Sequence, residues 1–168
     1  MTVEAHIRKN MQPVRCSVIT VSDTRDETTD RSGKLMMELL EEQGQSLSSY
    51  RIVKDEEELI QEAIMAEVQR DDVDVVLLNG GTGIAKRDVT IEVVESMADK
   101  IISGFGELFR MLSYTEDIGT AAMLSRATGA VVRSTGVFAT PGSSGAVKLA
   151  MERLILPELV HIRNELKK

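Results

Sequence analysis

Several short stretches of this chain combine residue types and spacings that could do chemistry. The first is Gly80-Gly81-Thr82-Gly83, three glycines in four residues, placed directly after the apolar run Val75-Val76-Leu77-Leu78 and Asn79. Glycines at such a joint let the backbone take positive φ and approach a ligand with no Cβ between them. Successive amides there can form a concavity that holds an anion. A few residues on, Arg87-Asp88-Val89-Thr90 adds a charge pair and a carboxylate at a helix start. Asp55, in Val53-Lys54-Asp55, is a second carboxylate of this kind, and Asp55 and Asp88 could share a metal if their turns are neighbours. Mg²⁺ is usually held by one or two carboxylates plus substrate phosphates. Ser22-Asp23 and Pro141-Gly142-Ser143-Ser144-Gly145 complete the set. Each also has an ordinary reading. Asp55 can be the N-cap of the helix that opens with Glu56-Glu57-Glu58, Asp88 or Thr90 the cap of the next helix, and Ser22 and Asp23 plain turn residues.

The elements that would position these groups follow from the hydrophobic pattern. Val14 to Val21 is rich in β-branched residues and reads as a first strand ending at Ser22-Asp23. Asp30 suits the N-cap of a helix from about Arg31, with Leu35, Met36, Leu39 and Leu40 at helical spacing and Gly44 placed to stop it. A second strand, 48–53, leads to a helix whose expected buried stripe is Leu59, Ile60, Ala63, Ile64 and Val68. The strand from Val73 is continuous enough to be buried on both faces. Phe105, Leu108, Phe109 and Leu112 predict an amphipathic helix that also carries Glu107 and Arg110, candidates to flank a groove. Two short apolar runs, 130–132 and 137–139, are separated like a hairpin by 133–136. The last helix begins near Gly145 and should be kinked at Pro157, which has no N–H for the carbonyl four residues earlier.

Strands alternating with helices predict an α/β domain with a parallel sheet. In such a sheet the four turns, 22–23, 53–55, 80–83 and 141–144, would gather along one edge, at the carboxyl ends of the strands where ligands bind. The 168 residues suit one domain, expected over 14–168 behind an N-terminal arm of residues 1–13. The net charge of −7 argues against a nucleic-acid or membrane-surface binder, which would present a basic face. Cys16 is the only cysteine, so no intrachain disulfide can form. No apolar run approaches membrane-spanning length, and MTVEAHIRKN lacks the apolar core of a signal peptide, so a cytoplasmic protein is expected.

In order along the chain stand VSDT, DRSG at 30–33, GGTG followed by RDVT, GFGELFR with Ser113 three residues on, IGTAAMLSRA, and TPGS before a long helix. This set resembles the MoaB/MogA family of molybdenum cofactor biosynthesis proteins over roughly residues 14–160. The resemblance implies a three-layer α/β/α sandwich with a mostly parallel, Rossmann-like sheet, assembled as a homotrimer or homohexamer. It implies molybdopterin adenylyltransferase chemistry: the terminal phosphate of molybdopterin attacks the α-phosphate of Mg-ATP, giving adenylylated molybdopterin and pyrophosphate. The family's catalytic and metal-supporting aspartates match Asp55 and Asp88. Its ligand-binding groove matches Ser22, Asp23, Gly80, Gly81, Thr82, Gly83, Ser113, Pro141, Gly142 and Ser143. The implied cofactor is Mg²⁺, with ATP as co-substrate. Ile91 stands where members often carry Pro, and PGSSG where many have Pro or Lys after PGS. The alternative is a non-catalytic molybdopterin-binding or carrier protein of the same pathway.

Overall fold

The structure, a computed structural model, describes residues 12–168. The expected N-terminal arm lies almost wholly outside the described residues. Six strands form one sheet in the order β2-β1-β3-β6-β5-β4. They are β1 (Arg15–Val21), β2 (Ser46–Val53), β3 (Val75–Asn79), β4 (Lys100–Ile101), β5 (Thr128–Val132) and β6 (Thr135–Thr140). β2, β1, β3 and β6 run parallel, and β5 is antiparallel to both of its neighbours. β4 is a two-residue edge strand.

The helices are α1 (Arg31–Glu42), α2 (Glu57–Val68), α3 (Thr90–Met97), α4 (Ser103–Glu116), α5 (Ser144–Ala150) and α6 (Leu156–Leu166). Alternation along the central strands sorts their side chains between two cores. Val18, Val75 and Leu77 pack with α1, α4, α5 and α6, while Ile19, Val76 and Leu78 pack with α2 and α3. The result is the expected three-layer α/β/α sandwich. β3 is buried along its whole length. Cys16 is fully buried in the first core, and burial pushes its thiol up to about 12, so it behaves as an inert apolar group.

Local sequence explains the two ends of α1. Asp30 caps α1, its carboxylate accepting from the Gly33 amide at 3.0 Å, and Gly44 leaves the helix at φ 70°. Other expectations need correction. Asp55 is not a cap: α2 begins after Glu56, whose side chain makes no capping bond. Neither Asp88 nor Thr90 caps α3, because Val89 holds that position. Leu59 is half-exposed, and the fully buried Glu67 takes the sheet-facing place instead, hydrogen-bonded by Ser17 and ion-paired with Arg51 and Arg70. Leu108 points outward, whereas Phe105 and Phe109 are buried. Ahead of Pro157 the chain takes a π-helical turn, Met151–Ile155, and Pro157 stands in the first turn of α6.

The sheet order places the site. From β1 the chain passes outward to β2, then returns across β1 to β3 on its other side. The loops after β1 and β3 therefore leave towards opposite faces, α1 on one and α3 on the other, and open a crevice between them.

Candidate functional site

A cleft of about 550 Å³ occupies that crevice. Its walls come from Ser22 to Arg25 after β1, Asp55 after β2, Gly80 to Gly83 with Arg87 and Asp88 after β3, and Pro141-Gly142 after β6. Ala121 and Leu124 to Arg126 close the remaining side. They belong to or follow a 3₁₀ turn, Gly119–Leu124. Two expected site residues lie elsewhere. Ser113 is buried within α4 and does not line the cleft. Ser143 caps α5, its hydroxyl accepting from the Ala146 amide at 3.2 Å. Glu107 and Arg110 also stand outside the cleft.

The glycine loop is shaped by close approach. Gly80 has φ 94°, and a Cβ there would lie 2.2 Å from the Val21 carbonyl oxygen. Gly81 has φ 66°, and its Cβ would collide with Thr90 Oγ1 and Asp55 Oδ1. A third constraint comes from Arg126, a residue not distinguished in the sequence. Its Nε donates to the Thr82 carbonyl at 3.0 Å and its Nη2 to the Gly83 carbonyl at 2.8 Å and the Asp88 carbonyl at 3.3 Å. An ion pair with Glu92 holds the guanidinium in place. With its carbonyls drawn to Arg126, the loop offers its amides. None of the amides of Gly81, Thr82 and Gly83 donates to an acceptor among the described residues. Successive amides of this kind can form a concavity for an anion.

Around this loop stand three carboxylates. Asp23 Oδ1 accepts from the Asp55 amide at 3.0 Å. Asp88 Oδ2 accepts from the Ala85 amide at 2.9 Å and so closes its own turn. Burial pushes the Asp55 carboxyl up, the Asp23 charge adds to this, and Asp88 adds further while Arg87 opposes it. The pair Asp55 and Asp88 fits a hard divalent cation: its donors are carboxylate oxygens, and the repulsion that Asp88 adds at Asp55 is what a cation would relieve. Among the described residues no three Asp, Glu, His or Cys side chains converge as a metal cage. That suits an ion bound by one or two carboxylates and completed by phosphates and water. Asp55 and Asp88 could hold it.

Arg25 is a second residue that the sequence did not single out, since it lies in the polar run TRDETTDR. Its Nη1 donates to Ser32 Oγ at 2.6 Å and its Nη2 to the Gly142 carbonyl at 3.0 Å. Ser32 in turn donates to Asn79 Oδ1 at 2.8 Å, and Asn79 Nδ2 to Thr20 Oγ1 at 2.9 Å. Arg25 thus ties the loop after β1 to the loop after β6 through the end of β3. Burial would raise the carboxyl of the buried Asp30, but hydrogen bonds from Thr20, Tyr50 and Gly33, with Arg25 nearby, hold it below the ordinary range.

Residues 17–161 match the family described as probable molybdopterin binding domain. The chain is 57% identical over 168 residues to molybdenum cofactor biosynthesis protein B of Bacillus subtilis strain 168, covering all of this chain and 99% of that one. The Bacillus cereus protein of the same name is 60% identical over 166 residues, 99% of this chain and 98% of its own. A crystal structure of molybdenum cofactor biosynthesis protein B superposes with a TM-score of 0.91 at 62% identity, covering 93% of this chain and 97% of the other. That of the tungsten cofactor synthesizing protein MoaB from Pyrococcus furiosus gives 0.84 at 37% identity, covering 94% and 99%.

Proposed function

The chain belongs to the molybdopterin-binding domain family, among the homologues of molybdenum cofactor biosynthesis protein B, and from that premise we propose that it transfers AMP from Mg-ATP to the terminal phosphate of molybdopterin. The observation that carries this reading is one cleft in which three unengaged loop amides lie beside Asp55, Asp88 and Arg87. An amide concavity next to paired carboxylates suits two phosphate groups brought together, one held by the protein and one through a cation.

The reaction asks the protein mainly for positioning and charge control. A phosphate monoester has a second pKa of about 6, so the attacking oxygen is already ionised near neutrality and no side chain need take its proton. The amides of Gly81, Thr82 and Gly83 hold that phosphate. Its oxygen forms the new bond to the α-phosphorus of ATP as the bond to the bridging oxygen breaks, and pyrophosphate leaves. Arg126 keeps the loop carbonyls turned away from both anions. Asp55 and Asp88 would hold Mg²⁺, which when bound neutralises the nucleotide phosphates as charge builds on the leaving group. Arg87, exposed at the rim, offsets the carboxylates against the incoming nucleotide.

The test is to incubate the protein with molybdopterin and Mg-ATP and to follow pyrophosphate and adenylylated molybdopterin. Both should accumulate in equal amounts. Molybdopterin binding without pyrophosphate release would replace this reading with that of a carrier.

A further inference from the structure

Thr90 opens α3 and is fully buried. Its hydroxyl is the one buried side-chain polar atom without a hydrogen-bond partner among the described residues. An unpaired buried hydroxyl destabilises a fold, since it has given up water and gained nothing. The backbone nevertheless fixes it in place, because the Thr90 amide donates to the Gly81 carbonyl at 3.0 Å. A Cβ built on Gly81 would sit 2.3 Å from Thr90 Oγ1 and 2.8 Å from Asp55 Oδ1. Hydroxyl and carboxylate are therefore neighbours across the space that the glycine leaves open, yet they are not bonded. No side chain among the described residues donates to the Asp55 carboxylate either. A donor without an acceptor stands beside an acceptor without a side-chain donor.

We propose that Thr90 is the positioning residue of Asp55: its hydroxyl donates to Oδ1 in the metal-loaded state and fixes the carboxylate while the other oxygen serves the cation. The inference rests on the proposed use of Asp55 for Mg²⁺. Carboxylates that bind metals are themselves held by hydrogen bonds, and losing such a partner commonly costs about 10–100-fold in affinity. Gly81 acquires a second reason to lack a side chain. Besides its positive φ, it keeps open the line between the two oxygens.

The test compares the parent with Thr90→Val, which keeps the shape and removes the hydroxyl, and Thr90→Ser, which keeps the hydroxyl. Calorimetry would titrate α,β-methylene ATP into each protein, once with Mg²⁺ and once with EDTA. Thr90→Val should weaken binding about 10–100-fold with Mg²⁺ and leave it unchanged in EDTA. Without ligand it should melt no lower than the parent, because an unsatisfied group has been removed. Thr90→Ser should behave as the parent. Equal Mg²⁺ dependence in Thr90→Val and the parent would overturn the inference. So would a lower melting temperature with equal losses in Mg²⁺ and EDTA, or a parent whose binding does not depend on Mg²⁺. A parent that shows the expected pattern but forms no adenylylated pterin would remove the proposed reaction and leave this inference standing. A parent that turns over, with Thr90→Val binding as it does, would do the reverse.

Discussion

Asp55 carries its charge where the folded state disfavours it. Burial and the neighbouring Asp23 and Asp88 raise its pKa above the ordinary 3.8. The sign follows directly. Well below 3.8 the carboxyl is protonated in both states and has no net effect; between that value and the raised folded one the unfolded chain has ionised while the native protein keeps its proton, so stability falls across this window and the penalty is complete above it. Asp55→Asn should therefore melt above the parent at neutral and alkaline pH, with the difference shrinking as the pH falls below the ordinary 3.8. Because Asp55 does not cap α2, Asp55→Ala should lose no capping energy, and Asn, Ser and Ala variants should all keep the fold while losing turnover. An Asp55→Asn protein that turns over normally would remove the carboxylate from the mechanism. Asp88→Asn tests the other carboxylate. The amide oxygen of Asn can still accept from Ala85, so stability should change by less than about 1 kcal/mol, while product formation should fall to a small residue of the parent rate. Normal product formation in that variant would leave Asp88 with only its turn to close.

At the scale of elements, the glycine loop is held from behind by Arg126, and that arrangement can be loosened without touching the cleft's carboxylates. Arg126→Lys keeps the charge, but one ammonium cannot serve the Thr82, Gly83 and Asp88 carbonyls together. The KM for ATP or molybdopterin should rise by on the order of tenfold, about 1.4 kcal/mol, with a smaller change in kcat. An unchanged KM would show that the loop holds its shape unaided. Much of this architecture was legible from sequence. The first core strand and the Asp30 cap with Gly44 follow from local pattern, because each depends on burial or φ within a few residues, and the convergence of four strand-end turns follows from the alternation of strands and helices that makes the sheet parallel. Arg126 was not legible in this way: its acceptors are backbone carbonyls up to 44 residues away, and a carbonyl has no sequence signature. Arg25 was hidden in a polar run for the same reason. Glu67 was missed because helical periodicity reads a glutamate as solvent-facing, whereas Ser17, Arg51 and Arg70 satisfy it inside. Ser113 and Ser143 came from motif order, which places a residue near the site in sequence without saying which way its side chain faces.

For the whole molecule, the surface of α4 sets an expectation about assembly. Leu108, Met111 and Tyr114 are about half-exposed and, at 3.6 residues per turn, fall within an arc of about 120°, and Ile118, just past the end of the helix, is exposed as well. Met123, 80% exposed, and Leu124 extend the patch along the 3₁₀ turn. A contiguous apolar stripe of this kind marks an interaction surface. The same turn contributes Ala121 and Leu124 to the cleft, so covering the stripe would also support one wall of the site. A stripe on one helix can meet a different surface of the next copy and close into a ring, and we expect a trimer or a dimer of trimers. Light scattering at micromolar concentration should give a mass of three or six chains. Met111→Glu should reduce that mass while leaving the melting temperature of the separated chain intact, because Met111 is 52% exposed and supports no core. Ligand affinity should fall together with the mass if the 3₁₀ turn depends on its neighbour. A parent protein that stays monomeric at micromolar concentration would show that the stripe faces solvent or a different partner, and would leave the cleft wall to hold itself.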